Sequence, residues 1–179
     1  MFAIRPLEPQ DVERVQALAS DPAIGATSLV PSPYPADGAA VFVAWARERR
    51  EAGTDFVFAL AAAGPGLVGV AGLHGVGTPP GSAELGYWVG RPFWGRGYAS
   101  AGAAEVVHWG FETLGLERIT SHCLERNRRS VRVLERLGFR EVGRVANTHP
   151  KWSPDETVVH FELPRAAWNE GRAAPLRVL

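Results

Sequence analysis

Apolar and polar residues recur in short, well-bounded blocks, and the blocks predict an ordered series of elements. Phe2 to Leu7 alternates crudely and reads as a first strand, with Pro6 marking its end. Pro9-Gln10-Asp11 opens a helix carrying Val12, Val15, Leu18 and Ala19 on one face, and Asp21-Pro22 ends it. The proline-rich stretch Ser28 to Ala36 is a loop, and Tyr34 makes it a candidate lid over a substrate. Asp37 reads as the N-cap of a second helix, with Val41, Phe42, Trp45 and Ala46 at helical spacing and Gly53 as its stop. Phe56 to Ala62 and Leu67 to His74 are strands around the turn Ala63-Gly64-Pro65-Gly66, and Gly77 to Ser82 leads into a fourth strand, Ala83 to Val89.

A helix is expected from Ser100 to Leu114, closed by Gly115, and a fifth strand from Arg118 to Leu124. Asn127 caps another helix, in which Val131, Leu134 and Leu137 recur before Gly138 ends it. Phe139 to Ala146 and Thr157 to Leu163 are two more strands, joined by a polar loop through His149, Pro150, Trp152 and Pro154. Residues 165–179 are weakly patterned and are expected to form a disordered tail. The series describes a single α/β domain over residues 1–179: a mostly antiparallel sheet with a strand–helix–strand crossover at its centre.

Composition narrows the class. The 179 residues are 46% hydrophobic and carry no formal net charge, so nothing recruits nucleic acid or an anionic membrane at long range. Cys123 is the single cysteine, which excludes an internal disulfide framework and fits a reducing compartment. The N-terminal pattern is not that of a signal peptide, and no apolar run is long enough to span a bilayer, so a cytoplasmic location is expected. His74, His108, His122, His149 and His160 are scattered without metal-ligand spacing, so no metal site is expected. Cys123 lies mid-strand with no base near it in sequence and reads as structural. Trp45 and Trp109 suit core-facing helix positions, whereas Trp152 is placed to line an acceptor site.

The candidate chemistry centres on Trp88-Val89-Gly90-Arg91-Pro92-Phe93-Trp94-Gly95-Arg96-Gly97-Tyr98-Ala99. A strand, a glycine turn and a helix in this order point free backbone N–H groups at one spot. The helix dipole adds partial positive charge there, which suits a phosphate or pyrophosphate. Gly97 permits close approach of the backbone, and Arg91 and Arg96 are either auxiliary charges or merely solvated.

Gly95-Arg96-Gly97-Tyr98-Ala99, then Asn127-Arg128-Arg129-Ser130 and Glu135-Arg136-Leu137-Gly138-Phe139, resembles the GNAT superfamily of acyl-CoA N-acyltransferases. The closer similarity, which includes Glu84-Leu85-Gly86-Tyr87-Trp88-Val89, is to the RimJ/RimL-type branch with its ribosomal-protein N-terminal acetyltransferases. The resemblance implies a mixed, mostly antiparallel seven-stranded sheet flanked by about four helices, with the fourth and fifth strands splayed apart. It implies acetyl-CoA as co-substrate and direct transfer of its acetyl group to a primary amine, either a protein N-terminus or a small molecule. It leaves room for a homodimer.

By the same resemblance, pantetheine pairs with the fourth strand near Trp88 and Val89, and Gly95, Arg96, Gly97, Tyr98, Ala99, Asn127 and Ser130 contact the cofactor. Trp94 stands where the wider superfamily has Arg or Gln, as is common in this branch. Glu84 is the candidate base and Ser130 the candidate partner of the departing thiolate, because the position of the superfamily's tyrosine acid is Leu134 here. Asn127 and Ser130 also have plain structural readings, as an N-cap and a first-turn hydroxyl. That missing tyrosine keeps a non-catalytic CoA-binding module as the alternative. The glycines do not spell the dinucleotide-binding Gly-x-Gly-x-x-Gly.

Overall fold

The computed structural model describes residues 2–173. Seven strands form one sheet in the order β1-β2-β3-β4-β5-β7-β6. They are β1 (Phe2–Pro6), β2 (Phe56–Ala62), β3 (Gly66–His74), β4 (Ser82–Val89), β5 (Arg118–Leu124), β6 (Arg140–Ala146) and β7 (Thr157–Pro164). β4 and β5 run parallel and the other neighbours antiparallel.

The helices are α1 (Val12–Ala19), α2 (Pro22–Gly25), α3 (Gly38–Glu51), α4 (Tyr98–Glu112), α5 (Arg128–Arg136) and α6 (Arg165–Ala173). Among the described residues there are six helices, where about four were expected. Asp21-Pro22 ends α1 but also starts α2, because the Asp21 carboxylate accepts the Ala23 N–H at 2.9 Å. The tail expected from residue 165 begins instead as α6, and residues 174–179 lie outside the described residues.

Asp37 occupies the N-cap of α3 without making a side-chain cap bond. Gln16 of α1 serves that end instead, accepting the Ala39 N–H at 3.1 Å. The first turn of α3 is therefore tied to its neighbour helix rather than to its own cap.

The core lies on both faces of the sheet. α4 presses against β2 and β3 through glycines: a Cβ at Gly110 would fall 2.6 Å from Leu73 Cδ1, and one at Gly102 2.5 Å from Leu60 Cδ2. Phe111, Val106 and Ala103 of the same helix are fully buried. α3 covers the opposite face, where Trp45 stacks on His74 at 6.0 Å. Trp109 packs as expected, tilted against Phe56 and edge-on to Phe58. Trp45 departs from expectation, with one side on the core and the other on an open cleft.

β4 and β5 pair over three residues, Ser82–Arg118, Ala83–Ile119 and Glu84–Thr120, and then part. This splay creates the cleft.

Candidate active site

The cleft has a volume of about 1860 Å³ and runs from the parted strands to the loop before α3 and the start of α4. Strand alternation turns the main-chain groups of Leu85, Tyr87 and Val89 toward the gap. Two of those carbonyls are already occupied. Ser121 Oγ donates to Leu85 O at 2.9 Å, and Trp94 Nε1 donates to Val89 O at 2.6 Å. The groups left facing the gap are the N–H and C=O of Tyr87 and the N–H of Val89. Trp88, expected to pair with pantetheine, has its carbonyl against Gly69 of β3, although the residue still lines the cleft.

At the far end of β4 the chain turns through Arg91–Phe93 and enters α4 with Gly97 at φ +81°, a left-handed conformation that favours glycine. Neither Gly95 nor Gly97 has an atom within 4 Å of where a Cβ would stand, so the surface there is open. The first intrahelical bond is Ala101 N–H to Gly97 O, leaving the amides of Tyr98, Ala99 and Ser100 unbonded at a helix N-terminus.

Gly95, Gly97, Tyr98 and Ala99 line the cleft. Arg96 is exposed, with its guanidinium 5.9 Å from the Phe93 ring, and Arg91 faces Asp21 at 3.9 Å. Positive charge comes instead from α5, where Arg128, Arg132 and Arg136 recur every fourth residue along the cleft. Arg129 sits 4.5 Å over the Trp94 ring. The four-residue spacing of those arginines is visible in the sequence.

Asn127 caps α5 as expected, accepting the Ser130 N–H at 3.3 Å. Ser130 turns its hydroxyl to Tyr87, with 2.8 Å between the two oxygens. Burial pushes the Tyr87 phenol up, only partly opposed by Ser130, so it stays protonated. Cys123 belongs to the same group. Burial raises its thiol, Ser130 lowers it in part, and it holds no base. Leu134 is fully buried in the core, so the phenol reaches this end of α5 from β4 instead. Sequence reasoning missed Tyr87 because 43 positions separate it from Ser130.

Glu84 lies on the opposite face of β4 from Tyr87. Its Oε1 meets His122 Nδ1 at 2.8 Å. The bond to His122 holds the Glu84 carboxyl below its usual range, and the same bond raises the His122 imidazole. With Nδ1 engaged, Nε2 is the nitrogen left to exchange a proton. His160, cross-strand from His122, keeps its ring 5.8 Å away. Deeper under α3, His74 Nδ1 is 3.1 Å from Asp55.

Tyr34 and Trp152 also line the cleft, where the sequence placed them as lid and acceptor-site candidates. Lys151 reinforces that wall by donating to the carbonyls of Ser28 and Val30.

The chain is similar to N-acetyltransferases. Residues 2–140 match the acetyltransferase (GNAT) domain. The putative ribosomal N-acetyltransferase YdaF of Bacillus subtilis (strain 168) is 29% identical over 102 residues, which cover 57% of this chain and 56% of that protein. The uncharacterized N-acetyltransferase p20 of Bacillus licheniformis is 34% identical over 77 residues, 43% of each chain. The chain thus spans about half the length of the curated relatives it matches. Spermidine N-acetyltransferase from Vibrio cholerae, solved in complex with CoA and spermine, superposes with a TM-score of 0.82 at 19% identity, covering 94% of this chain and 98% of that one. That likeness is one of fold. With a parted parallel strand pair, an open glycine turn and a family match over residues 2–140, this chain belongs to the GNAT acetyltransferase family.

Proposed function

We propose that this protein is an N-acetyltransferase of the RimJ/RimL type that moves an acetyl group from acetyl-CoA to a primary amine in a ternary complex. One observation carries the reading. The free edge of β4 lies between two proton-handling pairs, Glu84–His122 on one face and Tyr87–Ser130 on the other. The similarity to a putative ribosomal N-acetyltransferase supports the branch.

The residues present fit acetyl-CoA. The open surface at Gly95 and Gly97, the unbonded amides at the start of α4 and the arginines of α5 suit its phosphates. Asn127 and Ser130 flank the inner end of that surface. The free N–H and C=O of Tyr87 and the N–H of Val89 offer a strand edge to an amide-bearing chain. When bound, acetyl-CoA supplies an acetyl group activated as a thioester, and transfer forms a C–N bond while breaking the C–S bond.

His122, held in one tautomer by Glu84, accepts the proton that the amine must lose, through Nε2 or an intervening water. Glu84 is therefore the partner of the base rather than the base itself, which changes the role expected from sequence. A strand-edge N–H polarises the carbonyl. Ser130 donates toward the departing sulfur, and the Tyr87 hydroxyl, 2.8 Å from Ser130 Oγ, holds that oxygen in place. The test is direct: acetyl-CoA with a panel of primary amines should release free CoA, and the purified protein should bind acetyl-CoA by calorimetry. Binding without amine-dependent release would overturn the transfer reading.

A further inference from the structure

The acceptor half of the cleft is built from rings and aliphatic groups. Phe42 and Trp45 stack at 6.0 Å, and Trp45 stacks in turn on His74. The His74 Nε2 lies 3.3 Å from where a Cβ at Gly86 would stand, two residues along β4 from Glu84. The aromatic series therefore runs from α3 down to the acid–base pair. Val41 and Leu29 extend it outward, and they stay 60% and 54% exposed although both are large and apolar. An exposed apolar patch rimming a cleft marks a surface that a ligand covers.

Charge completes the argument. Among the described residues, the carboxylates lining the cleft are Asp37 and Glu84, and Glu84 is already engaged by His122. Asp55 is tied to His74. The cations lining the cleft are Arg118, Arg126 and the α5 arginines. Arg118 and Arg126 are paired with Glu162 and Glu156, and the α5 arginines face the phosphate surface, so a second ammonium group on the acceptor would meet one carboxylate, Asp37.

Resting on the acetyl-transfer reading above, we infer that the acceptor is a monoamine whose carbon skeleton is aromatic or branched and apolar. Its amine lies at Glu84–His122 and its apolar part lies against Trp45, Phe42 and Val41. A polyamine is disfavoured.

The test compares phenethylamine, tryptamine and isoamylamine with spermidine at saturating acetyl-CoA, following release of free CoA. The apolar monoamines should exceed spermidine in kcat/KM by about tenfold or more. Trp45→Ala should raise KM for tryptamine by about tenfold while acetyl-CoA affinity is unchanged. Val41→Asp, at an exposed position that tolerates the change, should weaken the monoamines and improve spermidine. Spermidine equal to or better than the monoamines, or a Val41→Asp variant with unaltered preference, overturns this inference and leaves acetyl transfer standing. Failure of every amine to release CoA overturns the transfer reading, and this inference with it.

Discussion

The Glu84 carboxylate and the His122 imidazole meet at 2.8 Å at the last residue pair, Glu84–Thr120, that joins β4 to β5. The paired strands bring the two side chains together, and the parting of the strands then opens space beside them. Under the proposed mechanism this fixes a base at the mouth of the gap. Its basicity is set by a neighbour that does not itself need to touch the amine.

That arrangement predicts a pH profile. The log of kcat/KM should rise with pH through the His122 titration, which Glu84 holds above the ordinary value of 6.5. Glu84→Gln removes the raising interaction, so the acidic limb should move to lower pH while the plateau falls. His122→Gln should abolish the limb. A limb that stays in place in Glu84→Gln would remove His122 from the proton path.

The pair also marks a stability window. His122, with its raised pKa, contributes stability below 6.5 and loses it as pH rises through the folded value. Glu84, with its lowered pKa, contributes above 4.5 and loses it as pH falls through the folded value. The two contributions overlap between those limits. The Tm difference between wild type and Glu84→Gln, measured by calorimetry across pH, should be largest there.

Tyr87→Phe deletes one oxygen from a packed site and leaves the ring. The phenol lies 2.8 Å from Ser130 Oγ, and its loss removes the group that holds that hydroxyl in place. We expect kcat to fall about tenfold with little change in KM for acetyl-CoA. Ser130→Ala should cost at least as much, and the double variant should cost no more than Ser130→Ala alone. Additive losses would mean that the two hydroxyls act separately.

Gly97→Glu should abolish acetyl-CoA binding with the fold retained. The space beside Gly97 is open, so the protein accommodates the side chain, and the left-handed backbone costs about 1–2 kcal/mol. The loss therefore reports the ligand, through blocked access and a repelling carboxylate. Calorimetry and circular dichroism on one preparation separate the two effects. Undiminished binding would place the phosphate cradle elsewhere.

Gly69→Ala should damage the site from outside it. A Cβ there would strike the Trp88 carbonyl and lie 2.9 Å from Val89 Cα, both backbone atoms of β4. Overpacking of this kind costs about 1–3 kcal/mol, and it should raise KM for acetyl-CoA by shifting the free edge. Denaturant unfolding and steady-state kinetics would register both changes. A Tm drop with wild-type kinetics would show that β4 does not transmit the shift.

The sequence made the strands and long helices legible because their cores are periodic and their ends carry glycine, as at Gly53, Gly115 and Gly138. It also marked the open glycine turn, since Gly95 and Gly97 take positive φ beside an unsatisfied helix start. What it hid were relations between distant positions. His122 and Glu84 become partners only through the parallel pairing of β4 with β5. Tyr87 reads as one more apolar strand residue until α5 is folded over it. Asp37 stands at the N-cap as read, but the side-chain cap bond comes from Gln16 of another helix, a relation between distant positions. Trp45 matched a core periodicity, and the cleft on its outer side is made by elements far away in sequence.

The seam between β4 and β5 is three residue pairs long, and it divides the sheet into two leaves, β1–β4 and β5–β7–β6. Such a seam is a weak mechanical joint, braced by the α4 crossover and by the Ser121–Leu85 bond. On the proposed reading, acetyl-CoA laid along the open end would touch both leaves and act as a splint across the joint. Load applied between the leaves is then shared by the ligand and the seam. Amide hydrogens on both strands should then exchange more slowly, including those at positions the ligand never reaches.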